Sequence, residues 1–177
     1  MEKRQLEDEK AGLWNDEIST VCFTGHRNIK ESLRPQLDGV LRQFLFSLYD
    51  RGARTFKTGG AIGFDTMAAL AVLDLKYSVP DSGVKLLLCL PAPDQTFKYS
   101  EYDSIIYKMI LDKCDGITYV SDHCTTKSYY ARNRMLVEGS DVCVAFCTTQ
   151  HGGTYYTCRN ALLSGVEFIN LADFVEL

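Results

Sequence analysis

From residue 18 onward, short apolar and β-branched runs alternate with stretches in which apolar residues recur every three or four positions. A continuous apolar run bounded by turn residues marks a strand covered on both faces, and the three-to-four spacing marks an amphipathic helix. On that basis ISTVCFTGH (18–26) predicts a first strand ending in a glycine turn. Leu37, Val40, Leu41, Phe44 and Leu48 predict a helix that Gly52 closes. ARTFKTGG predicts a second strand, GFDTMAALAVLDLKYS a helix, VKLLLCLP a third strand, YDSIIYKMILDKCD a helix and GITYVSD a fourth strand. TKSYYARNRMLVEGS predicts a helix, DVCVAFCT a fifth strand, GGTYYTCRNALLSG a helix closed by Gly165, and VEFINLA a sixth strand. Six strands separated by five helices require parallel crossovers. The predicted class is α/β: a single doubly wound, Rossmann-like domain with a mostly parallel sheet of about six strands and helices on both faces.

Two segments fall outside this alternation. Residues 1–17 hold six acids and three bases with little apolar pattern, and predict an N-terminal extension, a short helix docked through Leu13 and Trp14, ahead of a domain spanning 18–177. PAPDQTFKYSEY does not continue as a helix from its start. It predicts a loop in which Phe97, Tyr99 and Tyr102 either cover the mouth of a site and stack on a base, or anchor the loop itself.

Composition narrows the function classes. With 19 basic and 23 acidic residues the formal charge is −4, which speaks against a protein built to hold the phosphates of DNA. Three of those four negative charges lie in residues 1–17, so the body is nearly neutral and a single small phosphate ligand is compatible with it. No apolar run approaches the ~20 residues of a membrane helix, and the opening MEKRQLEDEK contains no signal-peptide core. The seven cysteines are odd in number and contain no CxxC, and the three histidines are scattered. The expected setting is the cytoplasm, with thiols used as small core residues and no metal or resident cofactor. Self-association into a homo-oligomer is compatible with the aromatic content.

In a doubly wound sheet ligands bind outside the carboxyl ends of the strands. The first such end offers Thr24, Gly25, His26 and Arg27. The second offers Thr58, Gly59, Gly60, Ala61 and Gly63, with Asp65 in the next helical turn, and the fifth offers Gly152, Gly153 and Thr154. A glycine pair before a helix lets a bound group approach exposed amides at the positive end of the helix dipole, or simply permits a tight turn. Neither turn reads GxGxxG or GxxxxGK[ST]. Arg27 is suited to hold a phosphate bidentately, and His26 to donate, to act as acid or base, or to brace its own loop. Asp65 either caps its helix, accepts ribose hydroxyls, or acts as a carboxylate near an anomeric carbon. Arg132, Asn133 and Arg134 are consecutive in a helix, about 100° apart, and do not all face one ligand. Glu138 and Asp141 precede the fifth strand and belong to the opposite edge of the sheet.

CFTGHR, KTGGAIGFDTMAA, ARNRMLVEGSD and GGTYYT together resemble the YpsA-like family of the SLOG superfamily, whose relatives include the DNA-processing protein DprA and the LOG phosphoribohydrolases. GGAIGFD is also similar to the DprA stretch G-x-A-x-G-I-D. The resemblance implies a modified Rossmann fold whose glycine-rich turns bind a nucleotide or nucleotide-derived small molecule, similar to NAD, ADP-ribose or a nucleoside monophosphate. It maps Thr24, Gly25 and Arg27, then Gly59, Gly60, Gly63 and Asp65, then Arg132 and Asn133, then Gly152, Gly153 and Thr154 onto the binding motifs. The alternative it implies is an N-glycosidase similar to LOG. In that group a glutamate follows the second glycine-rich turn, whereas HGGTYYTCRN has no carboxylate, so hydrolysis would have to recruit Asp65 or Glu101. A third possibility, binding of single-stranded DNA as in DprA, is opposed by the net charge.

Overall fold

The computed structural model describes residues 17–177, so the expected extension lies, apart from Glu17, outside the described residues. The strands are β1 (Thr20–Gly25), β2 (Thr55–Thr58), β3 (Lys85–Leu90), β4 (Gly116–Tyr119), β5 (Val142–Phe146) and β6 (Glu167–Asn170). Between them run α1 (Arg34–Asp50), α2 (Phe64–Ser78), α3 (Glu101–Lys113), α4 (Thr126–Val137) and α5 (Gly152–Leu163). The strands form one six-stranded sheet in the order β4-β3-β2-β1-β5-β6, every pair parallel. This is the Rossmann-like α/β domain expected from the alternation of elements.

Alternate strand residues divide by size. Val21, Phe23, Phe56, Leu86, Leu88, Leu90, Val142, Val144 and Phe146 build the main core with α1, α2 and α3. Cys22, Cys89 and Cys143 face Leu136 and Val137 of α4 and Ala161 of α5 on the other side. Small side chains on that face let α4 and α5 approach the sheet closely, which is the packing use of a buried thiol. Chain direction supplies the geometry of the site: β1 to β4 step one way along the sheet, then β5 and β6 return past β1. The reversal falls between β1 and β5, where crevices open at the carboxyl ends of such sheets.

The boundaries depart from the apolar pattern where side chains intercept the backbone. The first strand starts at Thr20, because the Asp141 carboxylate takes the Ser19 and Thr20 amides at 2.8 Å each. β6 stops at Asn170, whose side-chain oxygen accepts from the Cys147 and Ala172 amides at 3.1 and 3.3 Å and turns the chain into a short 3-10 segment, Leu171–Phe174. In the expected loop after β3, Pro93–Lys98 forms a 3-10 segment; Ser100 then caps α3 by accepting the Asp103 amide at 3.1 Å.

Candidate functional site

At the reversal lies a cleft of about 290 Å³. Its walls are the exit of β1 (Thr24 to Arg27), Ala61 and Asp65 at the start of α2, the middle of α4 and the first turn of α5. Arg132, Asn133, Gly153 and Thr154 line it with two residues the motifs did not single out, Tyr129 and Leu136. Residues 129, 132, 133 and 136 share one face of α4, so helical spacing around Arg132 and Asn133 was the available signal.

The second glycine-rich turn is organised inward. Asp65 is 4% exposed. Its Oδ2 accepts from the Ala61 amide at 3.4 Å and lies 3.8 Å from Arg132 Nη1. Burial pushes the Asp65 carboxyl above its usual range, against the opposing pull of the Arg132 guanidinium and the Ala61 amide. Arg132 also donates to the Gly59 carbonyl and, through Nε, to Asn133 Oδ1 at 2.8 Å. A side chain at position 59 would occupy the space of that guanidinium. The Gly60 carbonyl is taken by Gln95 Nε2 at 2.7 Å and the Tyr99 hydroxyl at 3.0 Å. Thr58, Gly59, Gly60 and Gly63 therefore stand behind the cleft as supports, while the Asp65 carboxyl occupies the turn itself.

The other turn opens outward. His151 precedes α5 and makes no side-chain cap to it. The first amides of a helix lack intrahelical partners, and they sit at the positive end of its dipole. Gly152 and Gly153 are exposed there, and Gly152 does not line the cleft. The Thr154 hydroxyl donates to the Gly25 carbonyl at 3.0 Å and Asn133 Nδ2 to the Gly153 carbonyl at 3.3 Å, fixing this end against β1 and α4. Arg27 is exposed on the facing wall, its guanidinium 5.5 Å from the centroid of the Tyr129 ring.

His26 is a brace in this arrangement. Its Nε2 accepts from the Thr148 amide at 2.8 Å, its own amide donates to Phe146 O, and its carbonyl accepts from Phe64 N. An Nε2 that accepts is unprotonated; burial, with His151 nearby, holds the ring pKa below its ordinary value. Arg134 points away and bonds the Tyr156 hydroxyl at 3.2 Å, as consecutive helical positions require. In the expected aromatic loop, Tyr99 anchors the Gly60 turn, whereas Phe97 is 87% exposed and neither it nor Tyr102 lines the cleft. Glu101 does not line it either. Glu138 and Asp141 lie at the opposite edge, where the Glu138 carbonyl accepts from Lys57 and Asp141 holds the start of β1. Among the described residues no three His, Cys, Asp or Glu side chains group closely enough to hold a metal ion.

These features define a Rossmann-like α/β domain with a polar cleft at its topological switch point. The model of the YspA SLOG family (YpsA) matches residues 21–164, and the chain belongs to that family. The fold is similar to DprA from Streptococcus pneumoniae, with a TM-score of 0.62 at 17% identity over 85% of this chain and 49% of that one. It is also similar to DprA from Helicobacter pylori, whose structure is described in terms of its single-stranded DNA binding mode, with a TM-score of 0.60 at 20% identity over 89% and 66%. The structure of TM1055 gives a TM-score of 0.55 at 14% identity over 85% and 72%. The chain thus spans about half to two thirds of the DprA chains it matches. No curated protein matches its sequence. No helix among the described residues is long and apolar enough to cross a membrane.

Proposed function

We propose that the cleft binds a nucleotide or nucleotide-derived small molecule, with a phosphate seated on the first turn of α5 and the sugar turned toward Asp65 and Asn133. The carrying observation is the uncapped N-terminus of α5 facing Arg27 across the cleft. First-turn backbone amides at the positive end of a helix dipole and the Arg27 guanidinium line the same cleft, a combination that suits an anion. Asp65 and Asn133 supply acceptors and donors for hydroxyls on the floor, and the Tyr129 ring offers an apolar face at the wall. Specific ligand pockets run from about 300 Å³ upward, so a cleft at the small end of that range suits one nucleotide better than a dinucleotide.

Isothermal titration against nucleoside monophosphates, ADP-ribose and NAD tests this. Binding of a monophosphate, weakened at least roughly tenfold by Arg27→Ala with its loss of a charge-assisted pair, is the expected result. No binding across the panel refutes it. Free base appearing in the same samples would show turnover by an N-glycosidase instead, and its loss in Asp65→Asn would assign the carboxylate.

A second reading, binding of single-stranded nucleic acid, is favoured by the charge of one layer. α4 and α5 contain Lys127, Arg132, Arg134 and Arg159 and no acidic residue, although the whole chain is −4. Lys127, Tyr130 and Arg134 form an exposed stripe on α4. A basic stripe with an aromatic ring is the footprint of a single-strand binder. Fluorescence anisotropy with a labelled oligothymidylate tests it: phosphate contacts by the three exposed cations of this layer, Lys127, Arg134 and Arg159, predict a salt slope of about −2. A flat titration at low salt removes it.

A further inference from the structure

Four of the seven cysteines form two touching pairs, and the two pairs differ in access. Cys22 and Cys143 are register partners on β1 and β5 and are fully buried. Adjacent parallel strands hold such side chains side by side at ~4.8 Å, wider than the ~3.5–4.5 Å between Cβ atoms that a disulfide needs. Bridging them would pull two central strands together.

Cys147 and Cys158 come from a strand exit and a helix. Cys147 follows β5, Cys158 lies on the sheet-facing side of α5, and with Ala145 they form a small cluster of their own. Both also line a pocket of about 460 Å³ with Tyr155 and Phe168, so this pair, 9% and 5% exposed, communicates with solvent.

We propose that Cys147 and Cys158 are a dithiol site that a peroxide oxidises to an intrachain disulfide. The Cys147 sulfur, as thiolate, attacks a peroxide oxygen; the O–O bond breaks, and hydroxide leaves and is protonated to water. The Cys158 thiolate then attacks the resulting sulfenic sulfur. The S–O bond breaks, a second water leaves, and the S–S bond forms. Two thiols have lost two electrons and two protons, and one peroxide has become two waters. Burial and the adjacent Cys147 push the Cys158 thiol up, so disulfide closure accelerates as pH rises.

The bridge bears on the cleft. The Cys147 thiol donates to the Thr149 carbonyl at 3.3 Å, and Thr148 between them bonds His26. Tying Cys147 to the second turn of α5 removes the first bond and strains the second, in the segment that leads into Gly152 and Gly153. Weakened ligand binding by the oxidised form rests on the proposed function; formation of the disulfide does not.

The test uses the full chain carrying Cys114→Ser and Cys124→Ser, which removes the two partly exposed thiols. After hydrogen peroxide at pH 7.5 and 8.5, free thiols are alkylated and peptides mapped without reduction. The expected result is a Cys147–Cys158 cross-link, two mass units lighter than the dithiol, faster at the higher pH and reversed by dithiothreitol, with Cys22 and Cys143 free. Cys158→Ser leaves Cys147 as a sulfenic acid that dimedone traps, and Cys22→Ser changes nothing. Recovery of both thiols unmodified, or a bridge through Cys22 or Cys143, overturns the proposal. Titration of AMP into both redox forms reads the coupling. Equal affinity overturns the coupling alone, and binding to neither form counts against the ligand reading.

Discussion

Gly63 offers the sharpest test of how the two loop systems around the cleft are joined. It caps α2 at φ 83° and ψ −124°, the mirror of the extended region. An L-residue there pays about 1–2 kcal/mol for the backbone alone. A Cβ would also run into the carbonyl oxygens of His26 and Arg27, which are backbone and cannot swing aside. The turn would have to retreat, stretching the Phe64 amide to His26 carbonyl bond of 3.1 Å. Overpacking and a loosened buried bond add roughly 1–3 kcal/mol each, so Gly63→Ala should cost about 3–8 kcal/mol in all. Gly165 is the matched control: its φ is 71° and nothing lies within 4 Å of an added Cβ. Gly165→Ala should cost only the backbone share. At about 2–4 °C per kcal/mol for a domain of this size, thermal unfolding should place Gly63→Ala roughly 6 °C or more below the parent and well below Gly165→Ala. Equal melting temperatures for the two variants would show that the close approach of the β1 exit to α2 contributes nothing.

Three further outcomes follow from local geometry. Thr125 accepts the Ser128 amide at 3.1 Å in a reciprocal capping box, so Thr125→Ala should lower stability by about 1 kcal/mol in urea melts. Burial acts to raise the Asp141 pKa, but the Ser19 and Thr20 bonds outweigh it and hold the carboxyl below its usual range. Its stabilisation is therefore complete above about pH 4 and lost as pH falls through the lowered folded value; acid titration of Asp141→Asn should lack that limb. Burial, then His151, lowers the His26 pKa, so its contribution is complete above about pH 6.5 and lost as pH falls through the folded value. His26→Gln should flatten the melting temperature between pH 6.5 and 5, and an unchanged slope would contradict the bracing role.

Much of the fold was legible because buried parallel strands and two-faced helices leave different spacings in the chain. VKLLLCLP and DVCVAFCT read as strands since both faces are covered, and Leu37, Leu41 and Leu48 read as a helix since one stripe is. Sheet order was not legible, because no apolar run specifies its neighbour. Pro93–Lys98 escaped because a 3-10 segment has no apolar period of its own, and the end of β6 escaped because Leu171 continues the apolar pattern while Asn170 stops the ladder. The net charge misdirected attention from location: the acid-free pair α4 and α5 is a property of one layer, which a sum over the chain erases.

The two glycine-rich turns looked equivalent in the sequence, and their difference depends on residues outside the motifs. Asp65, four positions past Ala61, and Arg132, 73 residues past Gly59, decide that the first turn is satisfied from within. Gly60→Asp is consequently a poor probe of ligand binding. Its φ is 63° and a Cβ would strike Leu90, so loss of function there reports misfolding. Gly153→Asp behaves in the opposite way. Gly153 has no positive φ, and an added Cβ meets only Asn133 Nδ2, at an ordinary 3.5 Å. A carboxylate in the first turn of α5 complements the dipole by about 0.3–1 kcal/mol, so the variant should melt no lower than the parent. The same carboxylate occupies the anion position and repels a phosphate, so nucleotide affinity should fall at least roughly tenfold, one charge-assisted contact being worth about that. A folded Gly153→Asp protein that binds its nucleotide as tightly as the parent would remove the phosphate from the α5 N-terminus.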